Sequence, residues 1–320
     1  MENDLRLSVI IPTHETRELT LRCLAALRLC DPQPHEVIVV DNGSTDQTAD
    51  SVERRYPVHT VIRLSENEGF SAAVNHGVAR ASGDLVLLLN SDTEIEALAL
   101  GLLSRAFARD PQLGIVGAAL RNFDGTPQWS GGRKPGWLWL FAVASGIPAL
   151  LGKLRFWRRL LSPSGSAGGS VDWVAGTAMV VRRRVWEEVG PFDLGYHFYC
   201  QDLDLCVSAV EVGWGIEILP DFKVFHHRGG TISGEGGVVD RLHPEFLWTD
   251  LLRFASKCCG PEAARKAFLA LRLGGRLRVL GRRLVSPIVS IDARAEWGET
   301  NTTYEAALRA LDQTRIGSHE

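Results

Sequence analysis

Five consecutive apolar residues, Leu85–Leu89, run directly into Asn90, Ser91 and Asp92. An unbroken apolar run of that length, opened by the turn formers Gly83 and Asp84, reads as a strand buried on both faces, as in a parallel sheet covered by helices. In open α/β sheets ligands sit beyond the carboxyl ends of the strands. The polar triplet that ends this strand therefore stands where a ligand would be, and Asp92 is its strongest ligating group.

The flanking sequence repeats the same rhythm. Leu7 to Ile11 predicts a first strand stopped by Pro12, and leucines at 19, 21, 24, 27 and 29 predict a helix over Thr16 to Leu29. Glu36 to Val40 is a second strand ending on Asp41. The turn formers Asn42-Gly43-Ser44-Thr45-Asp46 then lead into a helix to Arg55. Thr60 to Leu64, a loop at Glu66 to Ser71 and a helix through Arg80 complete the pattern before Leu85. Strand and helix alternating in this way predict an α/β fold, Rossmann-like, with a mainly parallel central sheet flanked by helices. Ile95 to Ala108 reads as a further helix and Leu113 to Leu120 as a strand. Beyond a break, strands are expected at Ala178 to Val181, Gly215 to Leu219 and Lys223 to Phe225, and helices at Arg183 to Val189 and Gln201 to Val212.

These elements divide the chain into an α/β domain over 1–240 and a helical, basic C-terminal region over 241–320. The first comprises a strand-and-helix half at 1–120, an insertion or loop at 121–170, and a second half at 171–240. The insertion holds Pro135 to Gly152, 18 residues without a charge. That is near the lower limit of the roughly 17–25 residues of a membrane span, but Pro148 and three glycines disfavour one. From Arg253 to Arg283 there are nine basic residues and one acid, Glu262. A solvated helix face and docking to anionic lipid head groups both account for basic residues interleaved with Leu, Phe and Val.

Composition excludes several classes. With 320 residues, 45% hydrophobic and 23% charged, the chain can bury a sizeable core, and a formal net charge of −3 gives no footprint for a nucleic-acid binder. The six cysteines form no CxxC pair, which argues for a reducing compartment and against a zinc knuckle. The start, MENDLRLSVIIP, is acidic and enters a strand at once, unlike a signal peptide. A cytoplasmic location is expected. The loop from Asn67 to Gly77 lacks both GxGxxG and a Walker lysine, so neither a dinucleotide site nor a P-loop is expected.

Polar clusters fall at the predicted strand ends: Thr13 to Glu15, Asp41 to Asp46, Asn90 to Asp92, and His226-His227. Asp202 and Asp204 open a helix. A magnesium or manganese ion takes oxygen ligands, few of them from protein, and shares the rest with substrate phosphates. Imidazole can complete a manganese site, so Asp92 with a histidine is a sensible pair. The plainer readings are a helix cap for Asp46 and a surface strand end for the two histidines.

With these residues in view, the chain resembles the inverting glycosyltransferases of family 2, which have the GT-A fold, and most closely their rhamnosyltransferase-like branch. The motifs carrying the resemblance are SVIIPTH (8–14), VIVVDNGSTD (37–46), NEGFSAAVNHG (67–77), LLLNSD (87–92), GTAMVVRR (176–183), GPFD (190–193), QDLDLC (201–206) and HHRGGTIS (226–233). The resemblance implies that Pro12, Thr13, Glu15, Asp41 and Asn42 line the nucleobase and ribose pocket, and that Asn67, Gly69, Phe70 and Asn75 border the nucleotide and sugar. It makes Asn90-Ser91-Asp92 the DXD-type motif, with Asp92 and His226 as metal ligands for Mg2+ or Mn2+, and Asp202 the catalytic base. Gln201, Asp204 and His227 would support them.

The implied activity is transfer of a sugar, rhamnose by preference, from a dTDP- or UDP-linked donor to a glycan or lipid-linked acceptor in polysaccharide or cell-wall synthesis. The enzyme would work in the cytoplasm, with peripheral contact to the inner face of an anionic membrane. One departure stands out. The family pattern is Glu-Asp where this chain has Gln201-Asp202, so a negative neighbour of the base is gone, which favours the ionised form of Asp202. The same departure is the sequence support for an alternative, a catalytically reduced sugar-nucleotide-binding or scaffold subunit. A nucleotidyltransferase would need a basic glycine-rich triphosphate loop after the first strand, which PTHETRELT does not supply.

Overall fold

The computed structural model of the chain describes residues 5–147, 169–227, 243–288 and 291–314. The chain divides into two compact units, Met1–Arg133 with Pro163–Gly195 and Gln201–Asp240, and Lys134–Ser162 with Tyr196–Cys200 and Arg241–Glu320.

The first unit is built on one mixed sheet. Its strands are β1 (Leu7–Thr13), β2 (Glu36–Asn42), β3 (Thr60–Leu64), β4 (Leu85–Leu89), β5 (Thr93–Ile95), β6 (Leu113–Arg121), β8 (Gly169–Ser170), β10 (Ala178–Arg182) and β11 (Gly215–His226). They lie in the order β3-β2-β1-β4-β10-β6-β11-β5, with β8 on β11. A two-stranded ribbon joins β7 (Gly131–Gly132) to β9 (Trp173–Val174). β1 is parallel to β2 and β4, β2 to β3, and β6 to β11. β10 enters antiparallel to both β4 and β6, so the strand rhythm stays parallel through β4 and changes sense beyond it.

β4 explains the centre of the sheet. All five of its residues are buried, and they alternate between two cores: Leu85, Leu87 and Leu89 face one, Val86 and Leu88 the other. The period of two in a strand makes this the consequence of an unbroken apolar run between two helical layers. The first core takes Cys23, Leu24 and Leu27 of α1 (Arg17–Leu27) and Leu100, Leu103 and Phe107 of α4 (Ala99–Arg109). The second takes Ala73 and Val74 of α3 (Phe70–Arg80), Val185 and Trp186 of α6 (Arg183–Val189), and Leu205, Cys206 and Ala209 of α7 (Gln201–Glu211). A further helix, α2 (Thr48–Arg55), follows β2.

Three local departures from the sequence expectation matter for the site. β1 runs through Pro12 to Thr13 in register with Asp41. Its pairing with β4 has ended by Ile10, which leaves room for a residue without an N–H. The start of the helix expected from Ile95 is strand β5, which pairs with Val224, Phe225 and His226. The two strands expected at 215–219 and 223–225 are one strand with an irregularity between Leu219 and Lys223, next to Pro220.

The second unit contains α5 (Trp137–Ser145), α8 (Pro244–Val285) and α9 (Ile291–Gln313). α8 breaks at Gly260, whose φ of 81° is non-helical, followed by Pro261. α5 is the described part of the uncharged run. It ends at Ser145 with Gly146 left-handed at φ 67°, and residues 148–152 lie outside the described residues. Among the described residues no helix is long and apolar enough to cross a membrane. The basic run proves to be of mixed kind. Arg278 donates to the Val143 carbonyl at 2.7 Å and lies over the Tyr304 ring, and burial pushes its pKa down. Arg272 and Arg283 are paired with Asp312 and Glu305.

Candidate active site

β2, β1 and β4 are parallel neighbours, so their carboxyl ends lie side by side along one edge. The residues at those ends are already joined by side chains. The Thr13 hydroxyl is 2.8 Å from that of Thr16 and 2.7 Å from that of Thr20, and the Thr16 hydroxyl is 3.0 Å from that of Ser91. All four residues are buried. Buried hydroxyls must find partners, and this chain of them ties the end of β1, the start of α1 and the triplet after β4 into one piece.

The turn after β2 is fixed with equal economy. The Asp41 carboxylate accepts from the N–H groups of Ser44 and Ala49. Asp46 accepts from Thr48 N–H and Arg17 N–H; burial alone would raise its pKa, but these bonds outweigh it and hold the carboxyl below its usual range. Asp46 thus binds the first N–H of both α1 and α2, from the position before the α2 N-cap, Gln47. Glu15 sits at a left-handed φ of 51° and accepts from the N–H and hydroxyl of Thr45. Asn42 donates to Asn67 Oδ1 at 2.9 Å and accepts from Glu68 N–H at 2.9 Å, stitching the end of β2 to the loop before α3. At the start of α3, Gly69 has φ 90° and Phe70 stacks on Phe192. Both ends of the Asn75 amide bind the backbone of Phe192, each at 2.9 Å, so this residue holds the Gly190-Pro191-Phe192-Asp193 turn.

At the end of β4 the β5–β11 ladder brings two distant residues together. His226 pairs with Thr93 in the ladder, and His226 Nε2 lies 3.4 Å from Asp92 Oδ1, with side-chain exposures of 15% and 2%. His227 N–H donates to the Asp92 carbonyl at 2.8 Å, while its ring stacks on Phe123 and faces Glu94. Asn90 Oδ1 is buried without a hydrogen-bond partner among the described residues. A buried carboxylate, an imidazole nitrogen and an orphaned amide oxygen fit a hard divalent cation. Among the described residues no group of three His, Cys, Asp or Glu side chains could hold an ion by itself.

Asp202 opens α7. Burial pushes its pKa up, against hydrogen bonds from the N–H groups of Gly176 and Leu203, each at 2.8 Å. Gln201 and Asp204 are buried beside it on the same helix.

Two residues escaped the sequence reading. Gln128 lies within the segment taken for an insertion, yet its Oε1 is 2.9 Å from His226 Nδ1 and its Nε2 is 2.9 Å from the His226 carbonyl oxygen. In the second unit, Asp250 of α8 is wholly buried and accepts from the N–H groups of His197, Phe198 and Tyr199, and it contacts His197 Nδ1 at 2.9 Å. This carboxylate fixes the loop that runs into Gln201-Asp202. A lone acid within the apolar stretch Phe246 to Phe254 was the available signal for it.

The sequence profile of glycosyl transferase family 2 matches residues 8–186, which spans β1 to α6 and the end of every strand in the site except β11. The chain belongs to this family. It is a glycosyltransferase, and its fold is GT-A. Family relatives include an N-acetylglucosaminyl-diphospho-decaprenol L-rhamnosyltransferase of Mycobacterium tuberculosis, 30% identical over 243 residues, covering 69% of this chain and 76% of that protein. An O-antigen biosynthesis protein, RfbC of Myxococcus xanthus, is 26% identical over 71% of this chain but only 18% of its own length. Among solved structures of the same fold, a mannosyltransferase from Pyrobaculum calidifontis in complex with GDP-Man and Mn2+ covers 97% of this chain and 86% of its own, at 18% identity and a TM-score of 0.58. GalNAc-T7 with UDP, GalNAc and Mn2+ covers 71% of this chain and 44% of its own, at 17% identity and a TM-score of 0.54.

Proposed function

We propose that the chain transfers a sugar, rhamnose by preference, from a dTDP- or UDP-linked donor to a lipid-linked or glycan acceptor in bacterial polysaccharide or cell-wall synthesis, with inversion and with Mg2+ or Mn2+. The observation that carries the reading is the Asp92–His226 pair, brought to 3.4 Å by the pairing of the three-residue strand β5 with β11; Asp92 lies two residues after Asn90, whose side-chain oxygen is buried without a hydrogen-bond partner among the described residues. The M. tuberculosis relative, named for rhamnosyl transfer to a decaprenol-linked acceptor, supports the choice of sugar and acceptor class.

In this reading Asp92 and His226 hold the cation, with Asn90 Oδ1 as a third donor, and the turns at Pro12 to Glu15, Asp41-Asn42 and Asn67 to Phe70 cradle the nucleotide. The bound cation supplies charge neutralisation on the departing nucleoside diphosphate. Asp202 takes the proton of the acceptor hydroxyl as that oxygen forms its bond to the anomeric carbon and the carbon–phosphate-oxygen bond breaks. A single displacement inverts the stereocentre and needs no nucleophilic carboxylate. Burial raises the Asp202 pKa towards that of a useful base.

The protein works in the cytoplasm, peripheral to the inner face of the membrane. Support for the docking comes from α8, where Leu269, Leu273, Leu277, Leu280 and Leu284 are 41% to 70% exposed. Their spacing keeps them on one helix face, and Arg265, Arg276 and Arg283 lie along its edge by the same periodicity.

Calorimetric titration with dTDP and UDP, each with and without Mn2+, tests the donor site. Metal-dependent binding that Asp92→Ala abolishes is the expected result. If neither nucleotide binds under any condition, the reading fails.

A further inference from the structure

We infer that Gln128 is a positioning residue that locks His226 in the tautomer bearing its proton on Nδ1, so that a bare Nε2 faces Asp92. The inference rests on the metal site proposed above and assigns a role to a side chain outside every motif of the sequence.

The backbone of Gln128 is anchored. Its N–H donates to the Leu120 carbonyl at 2.9 Å, just beyond the bridge between Arg121 and Pro127, so the residue is fastened to the end of β6. Next comes the orientation of its amide. The Nε2 group donates to the His226 carbonyl at 2.9 Å and to Asn122 Oδ1 at 2.7 Å, and lies 3.4 Å from the Arg121 carbonyl. The Asn122 amide is itself oriented: the Thr126 hydroxyl gives its hydrogen to Asp124 Oδ1 at 2.5 Å and so can only accept from Asn122 Nδ2, at 2.8 Å. Three acceptors around one end of Gln128 admit only the NH2 group there; a flipped amide would set oxygen against oxygen.

The other end follows by elimination. Gln128 Oε1 is an acceptor without a hydrogen, and it lies 2.9 Å from His226 Nδ1. The ring must donate, so Nδ1 carries the proton. In the neutral imidazole Nε2 is then a lone pair, and it lies 3.4 Å from Asp92 Oδ1. A carboxylate oxygen and a bare ring nitrogen at that separation repel unless a cation serves both, either a metal ion or a second proton on the ring. An orienting hydrogen bond on the far nitrogen of a metal-binding histidine tunes the ligand and typically contributes 10- to 100-fold in metal affinity. Because Gln128 also holds the His226 carbonyl, one amide fixes both the ring and the end of the strand that carries it.

The test uses the full chain with Gln128→Leu and Gln128→Glu. Nitrogen-15 spectra of the histidine rings, recorded without metal at alkaline pH, read the tautomer; titration with Mn2+ alone, followed by electron paramagnetic resonance, reads affinity. Wild type is expected to show the Nδ1–H form. Gln128→Leu, which removes the acceptor, is expected to mix the tautomers and weaken Mn2+ binding 10- to 100-fold with an unchanged circular dichroism spectrum. Gln128→Glu keeps an acceptor within reach of Nδ1–H but sets an oxygen against the His226 carbonyl and Asn122 Oδ1, so it is expected to keep the Nδ1–H form while loosening the end of β11. A wild-type ring protonated on Nε2, or a Gln128→Leu variant whose ring keeps the wild-type tautomer, overturns the inference. The tautomer is read in metal-free protein, so a wild type that binds no Mn2+ would sink the metal reading while leaving the role of Gln128 to be judged by the spectra.

Discussion

At the scale of single residues, Asp202 separates chemistry from stability. Its carboxyl is raised above the usual range by burial, so its ionised form is disfavoured in the folded chain relative to the unfolded one. The sign follows by linkage: the charge costs no stability below the unfolded-state pKa, and the full cost is present above the raised folded-state value. Asp202→Asn removes this charge cost but sets its NH2 group against one of the two N–H donors, from Gly176 or Leu203, so the two effects offset and its melting temperature at pH 7 is expected to stay close to that of wild type, while turnover falls at least about 100-fold, the usual contribution of a positioned base. Parallel losses of melting temperature and turnover would make Asp202 a structural residue. For wild type, the acid limb of the rate profile should lie above the ordinary carboxylate range, since the base must be ionised to accept a proton. Asp250 is the opposite kind of carboxylate, an acceptor for three backbone N–H groups. Asp250→Ala orphans those donors at about 1–3 kcal/mol each, so denaturant unfolding should register a loss of at least about 2 kcal/mol. Asp202 was legible because a motif surrounds it, whereas Asp250 has no such context and its role depends on a loop more than fifty positions away.

Elements explain why part of the site could be read from the sequence and part could not. The run Leu85–Leu89 and the turn formers after β2 carry local signals, and the residues at their ends fall where the signals put them. The short ladder of β5 has no local signal: Thr93–Ile95 becomes a strand only because Val224–His226 arrives beside it, and sequence spacing says nothing of that meeting. Gln128 was hidden for the same reason. The close approach of the β2 and β3 loops is a case where local and distant demands coincide. Gly43 has φ 73°, and a Cβ there would lie 2.5 Å from the Glu66 carbonyl carbon. The strain of a left-handed non-glycine residue, about 1–2 kcal/mol, therefore adds to a backbone clash. Gly43→Ala should lower stability by at least that much and, by pushing the Asn42–Asn67 stitch apart, weaken nucleotide binding at least about tenfold in calorimetry. Undiminished binding would remove this turn from the nucleotide cradle.

On the scale of the whole molecule, the two units answer to different pressures. The first follows the strand rhythm that the sequence displays. The second gathers Lys134–Ser162, Tyr196–Cys200 and Arg241–Glu320, segments that periodicity alone does not join, and its arginines divide between internal fastening and surface charge. Arg278 is internal, bound to the Val143 carbonyl and Tyr304, so its removal would disturb the unit and reveal nothing of a surface. The exposed leucines of α8 are the sharper probe. Burying one leucine is worth about 1.5–3 kcal/mol, so even partial insertion of several into a lipid interface dominates the contribution of about 1 kcal/mol from each nearby basic residue. A helix seam of this length falls short of the three to four heptads of a coiled coil, and a second copy would meet it with arginines of the same sign along the edge. Changing Leu273, Leu277, Leu280 and Leu284 together to serine removes only exposed side chains and should leave nucleotide affinity intact. Co-sedimentation with vesicles of mixed phosphatidylcholine and phosphatidylglycerol should fall at least about tenfold, and wild type should prefer these to pure phosphatidylcholine. Equal sedimentation of variant and wild type would dismiss the membrane role of this face, and a wild-type dimer by light scattering that the variant loses would give the face to a second copy of the chain.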